Sequence, residues 1–279
     1  MKRAPARSIK LNVVFSDLHC GSTVGLMPPG FSTIEGNDIE QNPIQRWLWD
    51  SWRRGQDFIA SVVGSDPFAL TVNGDAVEGV HHGTKQVISP DPQDHLRCAQ
   101  SVLEPLASRA SRVFMVKGTE CHVGNQEVSL GEIFGAERDP DSHARKPIRA
   151  FDRLTVEMHG TRCAFSHHIG TSIRDYLEAT QFSIAINQEL TAARTNGEEE
   201  PRVICRAHRH RFGYYGNGHA LALVTPPWQA LTRFGHKVVP GARCHPGVVI
   251  LDWRGREPGE LPNLHYQTYE APHASIIRV

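Results

Sequence analysis

Five short stretches of the chain end with side chains that bind protons or metals. They are Asp17 and His19 in "DLH", Asp75 in "GD", Glu120 and His122 in "GTECH", His167 and His168 in "SHH", and His208 and His210 in "AHRH". In the first and last of these the two side chains are second neighbours, which on an extended chain point to the same side. A carboxylate with an imidazole, or a pair of imidazoles, then grips one object, and a divalent cation with nitrogen and oxygen ligands suits such a set. A single pair fits a solvated turn with a helix cap equally well. The weight therefore rests on five such endings in succession.

Each motif needs an element to deliver it. Runs rich in β-branched residues predict strands at Leu11–Phe15, Phe68–Val72, Val113–Val116, Leu154–Met158, Arg162–Ser166 and Val203–Arg206, with another in "GVVILDW". Helical patterns fall between the early strands. One runs from Pro43 to Gly64, and one lies in "DHLRCAQSVLEPLASRA", where Pro105 should kink the helix or end it early. Strand and helix in alternation imply a parallel sheet with crossover helices. The carboxyl ends of such strands share one edge, so Asp17, His19, Asp75, Glu120 and His122 would reach one rim, with Gly74 and Gly118 permitting tight exits.

The later half reads as hairpins turning at His159-Gly160 and at Gly216-Asn217-Gly218, and the longest helical pattern starts behind Thr171 or Ser172 as cap. Two packed sheets with helices outside would use all these elements. Irregular stretches at about 20–42 and 78–94 follow directly on two of the motifs and read as loops over a site. With no repeat, low-complexity tract or linker, residues 1–279 are expected to form a single domain.

Bulk properties exclude several classes. Lys+Arg and Asp+Glu balance at 30 each among 279 residues, so no global field draws the protein to nucleic acid or an anionic membrane. The basic start "MKRAPAR" leads only to "LNVVF" before Ser16 and Asp17, too short an apolar run for a signal peptide, and no stretch has the length to cross a bilayer. A cytoplasmic protein with no membrane partner is expected. The six cysteines form no Cys-x-x-Cys pair and are expected to be reduced, whereas the sixteen histidines cluster, with His81 and His82 as a further pair.

The order of "DLH", "GD", "GTECH", "SHH" and "AHRH" resembles the D-x-H, G-D, G-N-H-[DE], H, G-H-x-H signature of the calcineurin-like metallophosphoesterase superfamily, over roughly Val13 to His210. The resemblance implies an α/β fold, a four-layer αββα sandwich of two mixed sheets flanked by helices, holding two divalent metal ions (Mn, Fe, Zn or Ni). Carried over residue by residue, Asp17, His19 and His210 would hold the first metal, Asp75 would bridge, and His167 and His208 would hold the second. The implied chemistry is phosphoester hydrolysis by a hydroxide bridging cations about 3.5–4 Å apart, with His122 assisting the leaving oxygen.

Two departures from the signature stand out. Glu120 is aligned with the family's asparagine ligand, allowing one extra residue before His122, although Thr119 could take that position instead, and Ala207 replaces a glycine. An anionic Glu120 disfavours a doubly charged monoester. The expected reaction is therefore that of a phosphodiesterase or nuclease on DNA or RNA. The alternatives are a phosphomonoesterase on nucleotides or phosphoproteins, or a non-catalytic metal-braced interaction module. Candidate substrate contacts are His81, His82, Arg209, Arg211 and Trp228 of "TPPWQ". His168 reads as a spacer, Cys20 and Cys121 as packing residues, and Trp47, Trp49 and Trp52 as core. The long loops and the "PPWQ" segment look similar to phosphoesterases encoded by bacteriophages and prophages.

Overall fold

The computed structural model describes residues 8–81, 83–138, 148–170, 177–238 and 244–271. Alternation within the first strand, β1 (Leu11–Phe15), shows how the layers are built. Leu11, Val13 and Phe15 face one apolar cluster, while Val14 faces another. This is the period of two that a strand buried on both sides must show.

After β1 come a small ribbon, β2 (Phe31–Ser32) and β3 (Asp38–Ile39), then α1 (Pro43–Val63), β4 (Ala69–Asn73), α2 (Pro92–Ala107), β5 (Arg112–Val116), α3 (Glu120–Val123) and α4 (Gln126–Ile133). The chain continues through β6 (Leu154–Met158), β7 (Thr161–Phe165), α5 (Glu178–Asn196), β8 (Val203–Arg206), β9 (Gly213–Gly216), β10 (Leu221–Val224), α6 (Arg233–Val238), β11 (Gly247–Asp252) and β12 (Asn263–Thr268). One sheet has the order β12-β11-β1-β4-β5 and the other β6-β7-β8-β10-β9. Both are mixed. β1, β4 and β5 run parallel, as do β7, β8 and β10, with antiparallel strands outside them.

Val14, Phe114, Phe165, Cys205, Leu223, Leu251 and Trp253 fill the space between the sheets. Outside the first sheet, Trp52 and Ile59 of α1 and Val102 and Leu103 of α2 pack on Val13, Phe15, Leu70 and Met115. Outside the second, Phe182, Ile186 and Leu190 of α5 cover Ile204, Ala222 and Val224. The result is an α/β fold of helix, sheet, sheet and helix, as expected.

Local chemistry sets the boundaries. Asn42 caps α1 in a capping box with Gln45, and Pro43 occupies the first turn. Pro105 lies inside the last turn of α2, which continues past it and ends at Ala107, close to the early end expected. His159 and Gly160 both take positive φ, which a two-residue hairpin between β6 and β7 requires. The proposed caps Thr171 and Ser172 lie outside the described residues. Within the stretch 20–42, Leu26, Met27 and Phe31 are buried, and the bridges Cys20↔Val77 and Ser22↔Val87 align it with the stretch that follows β4.

Candidate metal centre

Beyond the end of β1 the chain stays zipped to the chain leaving β4. Asp17 N–H donates to the Gly74 carbonyl, and His19 N–H to the Asp75 carbonyl, each at 2.9 Å. Yet neither residue is extended. Asp17, His19, Asp75, His208 and His210 all have φ between 44° and 72°, a left-handed conformation that side chains rarely adopt. The alternation argument for Asp17 and His19 is therefore corrected: a bent backbone, and not a pleated strand, aims them. Five such residues in one place mark a strained constellation held by its surroundings.

They form two triads. Asp17, His19 and His210 offer ligand atoms within 4.8 Å of one another, and so do Asp75, His167 and His208. The Asp75 carboxylate connects them, because its Oδ2 lies 2.9 Å from His167 Nε2 and 3.8 Å from His19 Nε2. Asp75 Oδ1 accepts from Thr119 N–H at 2.7 Å, and the Thr119 hydroxyl sits 3.2 Å from both Asp75 Oδ2 and His208 Nδ1. Glycine is required at two points here. A Cβ on Gly118 would strike the Asp75 carboxylate, and one on Gly74, at φ 87°, would strike the His167 ring.

Partners behind the rings fix which nitrogen faces inward. His167 Nδ1 donates to the Asn73 carbonyl at 2.8 Å, His122 Nδ1 donates to the Glu78 carbonyl at 2.9 Å, and His19 Nδ1 lies 2.8 Å from Glu78 Oε2. Each imidazole then presents Nε2 to the centre, an arrangement that metal-ligating histidines commonly show. Gln229 Nε2 donates to the same Glu78 carboxylate at 2.8 Å. Deeper still, buried Glu127 accepts from Ala76 N–H and Gly118 N–H, tying the exits of β4 and β5 together.

The electrostatics call for a buried positive charge. Burial pushes the Asp17 carboxyl up, but His210 and His167 outweigh it and hold it at about 2. Burial likewise raises Glu78, and His19 and His122 bring it down to about 2. Asp75 is held well below the usual carboxylate range, against burial, by His167 and His19. Burial lowers His167, but the Asp75 and Asp17 carboxylates raise it to about 10. His19 is raised against its burial by Glu78 and Asp75. His208, buried and beside His167 and His168, falls to about 4. His122 is lowered by burial and by His19.

These residues fit divalent cations. The donor atoms are imidazole nitrogens and carboxylate oxygens, and buried Asp17 Oδ1 has no hydrogen-bond partner although His210 Nε2 lies 3.3 Å away.

Several expected residues fall elsewhere. Glu120 is exposed at the start of α3 and joins neither triad. Trp228, expected at the rim, is fully buried; it meets Trp52 edge-on at 4.9 Å, and its backbone N–H donates to the Asp17 carbonyl. Cys121, read as packing, is exposed. His81 is half-buried with its ring 4.0 Å from that of His122, and Arg209 and Arg211 are half-buried beside His210. His168 is exposed against the His208 ring. His82 lies outside the described residues. Glu78, Glu127 and Gln229 went unread as site residues; an acid three positions after the "GD" motif was the one available signal for Glu78.

No family model and no curated protein sequence matches the chain. Among solved structures it is similar to an archaeal phosphodiesterase, at 10% identity over 93% of this chain and 99% of that one, with a TM-score of 0.45. It is also similar to vacuolar protein sorting 29 from Cryptosporidium parvum, at 12% identity over 94% and 98% with a TM-score of 0.42. The sulfate thiohydrolase SoxB of Thermus thermophilus has 12% identity over 96% of this chain and 57% of that chain, with a TM-score of 0.40. Among the described residues no helix is long and apolar enough to cross a membrane.

Proposed function

We propose that the chain is a calcineurin-like metallophosphoesterase that hydrolyses phosphodiesters, with nucleic acid as its substrate. The observation that carries this reading is the pair of nitrogen and oxygen triads joined through Asp75. In this reading Asp17, His19 and His210 would hold one cation, His167 and His208 would hold the other, and Asp75 would serve both. Bound there, two divalent cations supply Lewis-acid charge to a phosphoryl oxygen and lower the pKa of a shared water.

The chain's own groups do the rest. His122, its Nδ1 committed to the Glu78 carbonyl, keeps Nε2 to pass a proton to the leaving oxygen. Thr119 orients Asp75 through both its N–H and its hydroxyl. Glu78 fixes His19 and carries the negative charge that Glu120 was expected to bring.

Charge supports the diester. Asp17, Asp75 and Glu78 would offset three of the four positive charges of a cation pair, and a nucleophilic hydroxide would offset the fourth, so a centre of such low net charge favours a singly charged phosphodiester over a doubly charged monoester. The strand that follows His210 supports a nucleic acid. Phe212 and Tyr214 of that segment meet Tyr266 at ring distances of 4.7 and 5.7 Å, and Tyr214 and Tyr266 are 50% and 44% exposed. Exposed rings in a segment that follows Arg209 and Arg211 along the chain suit stacked bases and a phosphate backbone.

Turnover of labelled single- and double-stranded oligonucleotides should be compared with that of an aryl phosphodiester, nucleotides and phosphopeptides. The Mn²⁺-loaded protein is the enzyme, and Asp75→Asn controls for contamination. Metal-dependent cleavage of the diesters is expected. Faster turnover of the monoesters with oligonucleotides intact would remove the nuclease half, and no metal-dependent hydrolysis at all would remove the whole reading.

A further inference from the structure

Beside the two triads lie two further groups of possible ligands, His19 with Glu78 and His122, in which Glu78 braces His19, and one that the reaction above does not use as a unit. His81, Cys121 and His122 also offer ligand atoms within 4.8 Å of one another. His81 comes from the stretch after β4, while Cys121 and His122 are neighbours in α3. The rings of His81 and His122 are 4.0 Å apart, and the His122 ring lies 5.0 Å from that of His19 in the first triad. With Nδ1 donating to the Glu78 carbonyl, His122 turns its Nε2 lone pair outward from that bond. Among the six cysteines, Cys121 alone is exposed; Cys20, Cys98, Cys163, Cys205 and Cys244 are buried.

The chemistry of this group differs from that of the main centre. The two triads contain no sulfur, so they take borderline and hard cations alike. Two imidazoles and a thiolate are nitrogen and sulfur donors of the kinds zinc takes, and three of them leave a fourth position open. A thiolate also discriminates strongly against Mn²⁺ and Mg²⁺.

We propose that His81, Cys121 and His122 form a third cation site, selective for a thiophilic ion such as Zn²⁺, and that filling it stops turnover by occupying the Nε2 of His122. On binding, the Cys121 thiol gives its proton to solvent and a metal–sulfur bond forms, with no change of oxidation state. The inhibitory half rests on the function proposed above, because it removes the group that protonates the leaving oxygen. The existence of the site does not.

Cobalt tests the site without reference to activity. Co²⁺ added to the Mn²⁺-loaded protein should produce the near-ultraviolet thiolate-to-cobalt band, and Cys121→Ser, an exposed change checked for folding by circular dichroism, should abolish it. No band, or a band that persists in Cys121→Ser, overturns the proposal.

Zinc tests the consequence. Zn²⁺ should inhibit aryl phosphodiester hydrolysis by the Mn²⁺-loaded wild type. Measured against each protein's own zinc-free rate, Cys121→Ser should need a zinc concentration raised by at least the roughly 10–100-fold that outer-shell substitutions cost in metal affinity. Equal zinc sensitivity in the two proteins overturns the inhibitory role. A chain with the Cys121-dependent cobalt band but no hydrolysis of any ester sinks the function reading, and with it the inhibitory role, while leaving the third site standing.

Discussion

The two sheets divide the chemistry of the candidate centre. The carboxylates leave the first sheet, Asp17 after β1 and both Asp75 and Glu78 after β4, whereas the second sheet sends only imidazoles, His167 after β7 and His208 and His210 after β8. Neither edge makes either triad alone. The depressed carboxyls of Asp17 and Asp75 depend on His210 and His167 across the gap, and the raised imidazole of His167 depends on those carboxyls in return. The apolar layer between the sheets therefore holds the ligands in register, and a cation bound at the rim should stabilise that layer by mass action.

The largest effect should come from cutting the link between the two edges. Asp75→Asn removes the anionic oxygen that both triads share, and elemental analysis should show metal content falling together with complete loss of hydrolysis. A variant that kept two metals would break the comparison. Next, His122→Ala leaves both triads intact, so it should retain its metals and slow turnover by roughly 10²–10⁴-fold. Metal lost from this variant would make His122 a ligand of the first sheet's edge.

A smaller effect concerns Glu127, the buried clasp within the first sheet's edge. Burial and the nearby Asp75 charge raise its carboxyl from 4.5 to about 7. The folded chain then keeps a proton that the unfolded chain releases between those values, so this group's contribution to stability is present at acid pH and is lost as pH rises through the window. In the metal-free protein this amounts to about 3 kcal/mol. Urea unfolding across the window should show that loss in the wild type but not in Glu127→Gln, and equal slopes would place its origin elsewhere.

The smallest effect is expected at Glu120. It is exposed and outside both triads, so Glu120→Gln should change stability by no more than about 0.5 kcal/mol and leave metal content untouched. A drop in bound metal would return Glu120 to the ligand set.

The sequence alone determined the types and order of the side chains that gather at the rim and the strands that precede them, because motif order and β-branched runs are local properties of the chain. Asp17, His19, Asp75, His167, His208 and His210 were singled out by their motifs and by the resemblance those motifs carry, and the structure gathers them at one place; β1, the hairpin at His159-Gly160 and the helix behind Pro43 were legible from local pattern. Only the tertiary structure decided which acid stands behind His19. Glu78 reaches it because the exits of β1 and β4 run side by side, a pairing between residues nearly sixty positions apart. The same long-range packing put Thr119 against Asp75, left Glu120 and Cys121 in solvent and buried Trp228 against Trp52. Spacing along a chain cannot report these outcomes, because a one-residue change of turn geometry after a strand redirects every side chain that follows it.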